Sequence, residues 1–227
     1  MTVPDLHGRT VLIAGATSAV GLAATRVLVG AGASVVATGR DAARLGPLAT
    51  LGARTEVVDL GDEATVAGLA ARLHAGGTAV DGVLHLVGGW RGGGGLAGQT
   101  EEDYRALEVS FTALRHVSRA FEGDLRRSPA GRLAIVSSTS VERPLAGGAN
   151  YVAVKAASEA WVRAAAQGFA KAARDAGEPL RAAAVILRVA SLAGLEDAVA
   201  QAYVGLWEAT AEDANGSVIE IRDDGDR

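Results

Sequence analysis

The sequence predicts an α/β fold, a doubly wound parallel sheet of about seven strands with helices on both faces. Three observations carry that expectation. Apolar runs of strand length alternate along the chain with longer, alanine-rich segments of helical character. The runs are continuously apolar and do not alternate with polar residues, as in strands covered on both faces. A repeated strand-then-helix rhythm needs right-handed crossovers, which make the sheet parallel.

The first strand is "RTVLIAG", followed by "AGATSAVG", Ala14 to Gly21, and a helix over about residues 20–31. Gly15 and Gly21 permit a tight turn and close approach of a ligand, and Ala19 keeps the helix start small. With Thr17, Ser18 and Val20 they form a loop at a helix N-terminus, whose unpaired N–H groups and positive dipole suit a pyrophosphate. A purely structural turn would use the same residues. The second strand, "ASVVATG", ends in Gly39 and Arg40. A carboxylate there would suit an unphosphorylated ribose, whereas Arg40 can grip a 2′-phosphate through its fork, which favours NADP(H) over NAD. The plainer reading is a solvated arginine, with Asp41 capping a helix over about residues 41–51.

The third strand, "RTEVVDL", closes on Asp59 and Leu60. Asp59 either accepts a hydrogen bond from an adenine amino group or caps the next segment, a helix over about residues 62–75. The fourth, "DGVLHLVGG", runs out through Val87 and Gly88 into "GGWRGGGGLAG". That stretch holds too many glycines to pack as an element and reads as a mobile loop at a strand end, where ligands bind in such sheets. His85, inside the apolar run, reads as a satisfied interior histidine. A helix over about 101–127 leads to "GRLAIVSS", then come a helix over about 149–176, "LRAAAVILRV", a helix over about 196–211 and "GSVIEI".

The 227 residues suit one domain, residues 1–227. A net charge of −4 with scattered basic residues argues against nucleic acid as a partner. No apolar run approaches a membrane span, and "MTVPDLHGRT" has no secretory pattern, so the cytoplasm is the default location. With no cysteine and four scattered histidines, no metal site is expected.

Only two of the 22 basic residues are lysines, and one of them, Lys155, follows Tyr151 by four residues. Residues at that spacing share a helix face, about 5–6 Å apart at Cβ. A tyrosine cannot readily act as a base near neutrality, but a nearby cation favours its phenolate, and a lysine ammonium can swivel between ribose hydroxyls. The preceding strand ends in hydroxyl residues, of which Ser138, thirteen positions before Tyr151, is placed to hydrogen-bond a substrate oxygen. Ser137 and Ser140 are weaker alternatives.

These features together resemble the short-chain dehydrogenase/reductase family over nearly the whole chain. Its serine followed by Y-x-x-x-K is similar to Ser138, Tyr151 and Lys155, and its T-G-x-x-x-G-x-G is similar to "AGATSAVG", with Ala14 and Ala19 departing from it. The resemblance implies a Rossmann fold and a single dinucleotide-binding oxidoreductase domain. It implies hydride transfer between NADP(H) and a carbonyl or alcohol, in which Tyr151 donates the proton, Ser138 polarises the oxygen and Lys155 supports both tyrosine and cofactor. It also implies a homodimer or homotetramer built on the two long helices.

Several positions depart from the family pattern. N-N-A-G appears as "HLVG", and the asparagine of the following helix aligns with Ser110, which either holds a water for a proton relay or bonds its own helix. P-G after the sixth strand is absent, and only a few residues precede the next helix, so the pocket should be open. Trp90, Val141, Leu145, Leu192, Tyr203 and Trp207 are its expected apolar walls, or else ordinary core or oligomer interface. "VGGW" and the short chain end resemble the dihydropteridine reductase branch, although Arg40 and Ser138 argue against it. The Ser110 and "HLVG" departures also leave room for an NADP(H)-binding sensor without turnover.

Overall fold

Side chains of successive strand residues point to opposite faces, so a strand buried on both sides must supply apolar residues to two cores at once. In the computed structural model, which describes residues 4–222, the first strand does this. Val11 and Ile13 enter one core, and Leu12 and Ala14 enter the other. The elements in chain order are β1 (Thr10–Ala14), α1 (Ala19–Gly30), β2 (Ser34–Gly39), α2 (Ala42–Thr50), β3 (Arg54–Val57), α3 (Glu63–Ala75), β4 (Gly82–His85) and α4 (Glu101–Arg127). There follow β5 (Gly131–Ser138), α5 (Ala149–Ala176), β6 (Ala182–Val189), α6 (Glu196–Gly205), α7 (Ala211–Ala214) and β7 (Val218–Ile221). Two single 3-10 turns, Thr139–Val141 and Ala146–Gly148, lie between β5 and α5.

The strands form one seven-stranded sheet in the order β3-β2-β1-β4-β5-β6-β7, every pair parallel. The core on one face packs under α1, α2 and α6, and the core on the other under α3, α4 and α5. Chain order reverses between β1 and β4, so the crevice at their carboxyl ends is where a ligand has most room. No helix among the described residues is long and apolar enough to cross a membrane.

Two sequence expectations change. β3 and β7 are the sheet edges and are not buried on both faces: Val57 and Val218 are exposed. The helix expected over about 196–211 divides into α6 and α7 around a turn. The cause is Arg132, buried at the start of β5, which donates from Nε to Leu206 O (2.8 Å) and from Nη2 to Ala209 O (2.8 Å). Carbonyls held by a guanidinium in this way are not available to continue the helix.

Candidate active site

The loop from β1 to α1 is shaped by contacts that leave no space for side chains. Gly15 has φ +81°, and a Cβ there would stand 2.9 Å from Val87 N. A Cβ on Gly21 would stand 2.0 Å from Ala16 O. Ser18 caps α1, its Oγ accepting from Gly21 N at 3.1 Å. The first N–H groups of a twelve-residue helix thus face the crevice beside β4. Asp41 caps α2 by accepting from Ala43 N (2.8 Å), leaving Arg40 exposed at the rim and without an ion-pair partner among the described residues.

A groove of about 280 Å³ follows this rim. Gly15, Thr17, Ser18 and Arg40 line one side, and Asp59, Leu60, Val87 and Gly88 line the other. A second cavity of about 310 Å³ lies beside it and shares Ser18, Leu86, Val87 and Gly88. Val20, Tyr151 and Lys155 line this second cavity. The two together make a bent cleft from Arg40 to Tyr151. A glycine-formed helix N-terminus in the middle and cations towards the ends suit a phosphorylated dinucleotide.

Ala19 and Gly21, expected among the ligand-binding residues, line neither cavity. They act through the loop's shape. Asp59 neither caps α3, which Asp62 does, nor turns its Oδ1 wholly outward, since that atom accepts from Gly61 N at 2.9 Å. Arg44 was not anticipated. It lines the groove and donates from Nη2 to Thr17 O at 3.1 Å. The legible signal was its place four residues after Arg40, in the first turn of a helix.

Tyr151 and Lys155 stand one turn apart in α5, with Nζ 5.7 Å from the centre of the phenol ring. Nζ donates to Val136 O at 2.7 Å, which draws the ammonium toward β5. Ser138 does not line the cavity of Tyr151, but it is near enough to favour the phenolate; burial outweighs it and holds the phenol above its ordinary value. The acidified phenol expected from the spacing is therefore not a property of the free chain. Ser137 is not an alternative to Ser138, because its hydroxyl donates to Glu159 Oε1 at 2.7 Å. Ser138 also donates to Ser140 Oγ at 2.9 Å.

Burial lowers Lys155 to about 8, against a smaller upward pull from Glu159. The unfolded chain keeps this proton until about 10.5, so the cost of enclosing the ammonium is fully present below about pH 8. That cost fades as pH rises to about 10.5, where neither state is charged. Lys155→Met is expected to stabilise the ligand-free chain by about 2 kcal/mol, the relieved cost less the lost bond to Val136. Thermal melts at pH 7 and pH 10 check this, the gain shrinking at the higher pH.

Glu159, wholly buried, anchors the floor of the site. It receives Arg188 through Nε to Oε1 (2.8 Å) and Nη2 to Oε2 (2.7 Å), and Arg163 at Oε2 (2.8 Å). Arg188 also pairs with Glu142 on the segment after Ser138. Burial opposes the charge on Glu159, but hydrogen bonds from Arg188 and Ser137 prevail and hold its carboxyl below the ordinary value.

Other expectations meet mixed outcomes. Of its two expected readings Ser110 takes the second, bonding its own helix: its hydroxyl donates to Leu107 O at 2.7 Å within α4, and the residue lines the first groove. His85 is only half satisfied, with Nε2 on Ser110 O at 3.0 Å and Nδ1 unpartnered. Tyr203 and Trp207 are not pocket walls. They meet edge to face, 5.3 Å between ring centres, and pack against Gly82 at the opposite end of β4. Trp90 and Leu192 do line the second cavity, while Val141 and Leu145 do not. The glycine-rich loop, read as mobile, is tied down by Gln99. Its Nε2 reaches Gly93 O (3.0 Å), Gly95 O (3.2 Å) and Gly147 O (3.0 Å), and its Oε1 accepts from Asn150 N (3.1 Å). Among the described residues no group of three or more side chains could hold a metal ion.

Solved structures share this architecture. A short-chain dehydrogenase of Shigella flexneri complexed with NADP superposes with a TM-score of 0.82 at 18% identity, over 96% of this chain and 99% of that one. A short-chain type dehydrogenase/reductase from Mycobacterium ulcerans gives 0.83 at 20% identity, over 96% and 89%. An NADPH-bound short-chain oxidoreductase of Pseudomonas aeruginosa, described as containing an atypical catalytic center, gives 0.80 at 22%, over 96% of each chain. No curated protein matches the chain significantly. The sequence model of the short-chain dehydrogenases matches residues 9–173, well over half of the chain, and with the parallel sheet and the cleft at its reversal point the protein belongs to the short-chain dehydrogenase family.

Proposed function

We propose that this oxidoreductase reduces a small carbonyl compound with NADPH, or oxidises the corresponding alcohol with NADP. The observation that carries the reading is the pairing of Tyr151 and Lys155 on the wall of a cavity that adjoins the groove at the α1 N-terminus, with Ser138 near enough to act on the phenol. The bound nicotinamide would supply or accept the hydride. A phenol held protonated by burial suits the reductive direction, in which Tyr151 gives its proton to the carbonyl oxygen. Ser138 would hold that oxygen by hydrogen bonding as negative charge gathers on it. Lys155 would offer its remaining protons to the ribose hydroxyls.

Arg40 supports NADP(H) over NAD, with Arg44 nearby on the same rim. Arg40→Ala is expected to weaken NADPH binding by about 10- to 100-fold, the worth of a charged hydrogen-bonded pair, and to leave NADH binding unchanged. Nucleotide fluorescence titrations check this. The reading as a whole is tested by NADPH consumption over a panel of ketones, aldehydes, quinones and imines. Tight NADPH binding without turnover of any of them would point to a sensor, and NADH-linked turnover of a quinonoid dihydropterin to the dihydropteridine-reductase reading. The partners proposed with this function are the small carbonyl or alcohol and further copies of the chain. Exposed small residues of α5, such as Ala160, Ala164 and Gly168, support close approach of another helix.

A further inference from the structure

Three buried side-chain polar atoms lack a partner among the described residues, and only one of them, His85 Nδ1, belongs to a residue lining the cavity of Tyr151 and Lys155. Its chemistry follows from its surroundings. Ser110 O can only accept, so His85 Nε2 must carry the hydrogen of their 3.0 Å bond. Burial first, and the charge of Lys155 second, lower the imidazole to about 3, so the ring is neutral at any working pH. Nδ1 is therefore a fixed lone pair. A leucine or phenylalanine would fill the same space without an unmet polar atom, so the histidine carries a cost that packing does not explain. Lys155, in the same cavity, has protons to spare, since it uses one of three on Val136 O.

We propose that His85 is a positioning residue for Lys155. Its Nδ1 accepts from a water molecule that also accepts from the lysine ammonium, so that the lysine is held between β4 and β5 and kept beside Tyr151. The inference rests on the Tyr151–Lys155 reading of the site. The other charged groups around Lys155 are already engaged: Glu159 of α5 is paired with Arg188 of β6 and with Arg163, and Glu142 is paired with Arg188. Of the hydroxyls of β5, that of Ser137 belongs to a residue lining this cavity, and it is spent on Glu159.

The chain has two lysines, so nuclear magnetic resonance of carbon-labelled lysine reads the Lys155 titration directly, with Lys171→Arg to assign it. His85→Gln keeps a donor for Ser110 O but loses the atom in the Nδ1 place, and His85→Asn does the reverse. His85→Gln is expected to lower the Lys155 midpoint by about half a unit, a threefold change in proton affinity, and His85→Asn to leave it within about 0.2 unit. Equal midpoints in the unmodified chain and both variants would overturn the proposal. Should the variants not fold, nitrogen shifts of His85 in the unmodified chain decide: the neutral Nε2–H tautomer supports it, and an Nδ1–H tautomer or an imidazolium defeats it. Neither readout needs turnover. A chain that reduces no carbonyl would therefore remove the enzyme reading without touching this result, and equal midpoints would remove the inference without touching the enzyme.

Discussion

Tyr151→Phe is expected to lower kcat for NADPH-linked carbonyl reduction by about 10³-fold, the usual worth of a positioned acid, and to leave NADPH affinity within about threefold. The change removes one hydroxyl and keeps the half-buried ring against α5, so the fold and the phosphate loop are unaffected. Single-turnover reduction and nucleotide titration separate the two quantities. An unaltered kcat would show that another group delivers the proton. The pH dependence follows from the same residues. The phenol is held protonated by burial, whereas Lys155 loses its charge near pH 8, so reduction in the steady state is expected to decline as pH rises through that value. Ligand-induced ordering of water around Lys155 would move the midpoint but not the direction.

Glu159→Leu is expected to cost about 3–5 kcal/mol of folding stability, because Arg188 would remain buried with its main partner gone. Glu142 would not compensate, since it is mostly exposed to water. Chemical denaturation measures the loss. The double variant Glu159→Leu, Arg188→Met is expected to recover most of it, as apolar replacement of a buried ion pair often does. A double variant no more stable than Glu159→Leu would mean that the pair is not energetically coupled. Acid acts on the same cluster. The carboxyl of Glu159 is held below its ordinary value of 4.5, so its contribution is complete above that pH and is lost as pH falls through the lowered folded value.

Much of this site could be read from residue order because each signal was local. A turn that excludes side chains needs Gly15 and Gly21, and a shared helix face needs the spacing of Tyr151 and Lys155. What the sequence concealed depends on contacts between distant segments. Tyr203 and Trp207 have the composition of a pocket wall, and only the packing on Gly82 assigns them to the other end of the sheet. The break after α6 comes from Arg132, about 75 residues earlier in the chain, and no periodicity in the helix itself announces it. β7 carries the valine and isoleucines of a central strand, and its edge position emerges only from the strand order. In the free chain the phenol is not acidified, because spacing predicts that two groups share a face but not how burial acts on the ring.

The clasp made by Gln99 has a consequence for how this chain could change its diet. One amide sews the floor of the glycine ribbon to Gly147 and to the first turn of α5, so the doorway beside Trp90 cannot widen on one side alone. Lengthening or shortening the ribbon between Gly88 and Gly98 would therefore resize both jambs together. New ligands could be admitted by that route while Tyr151 and Lys155 stayed where they are.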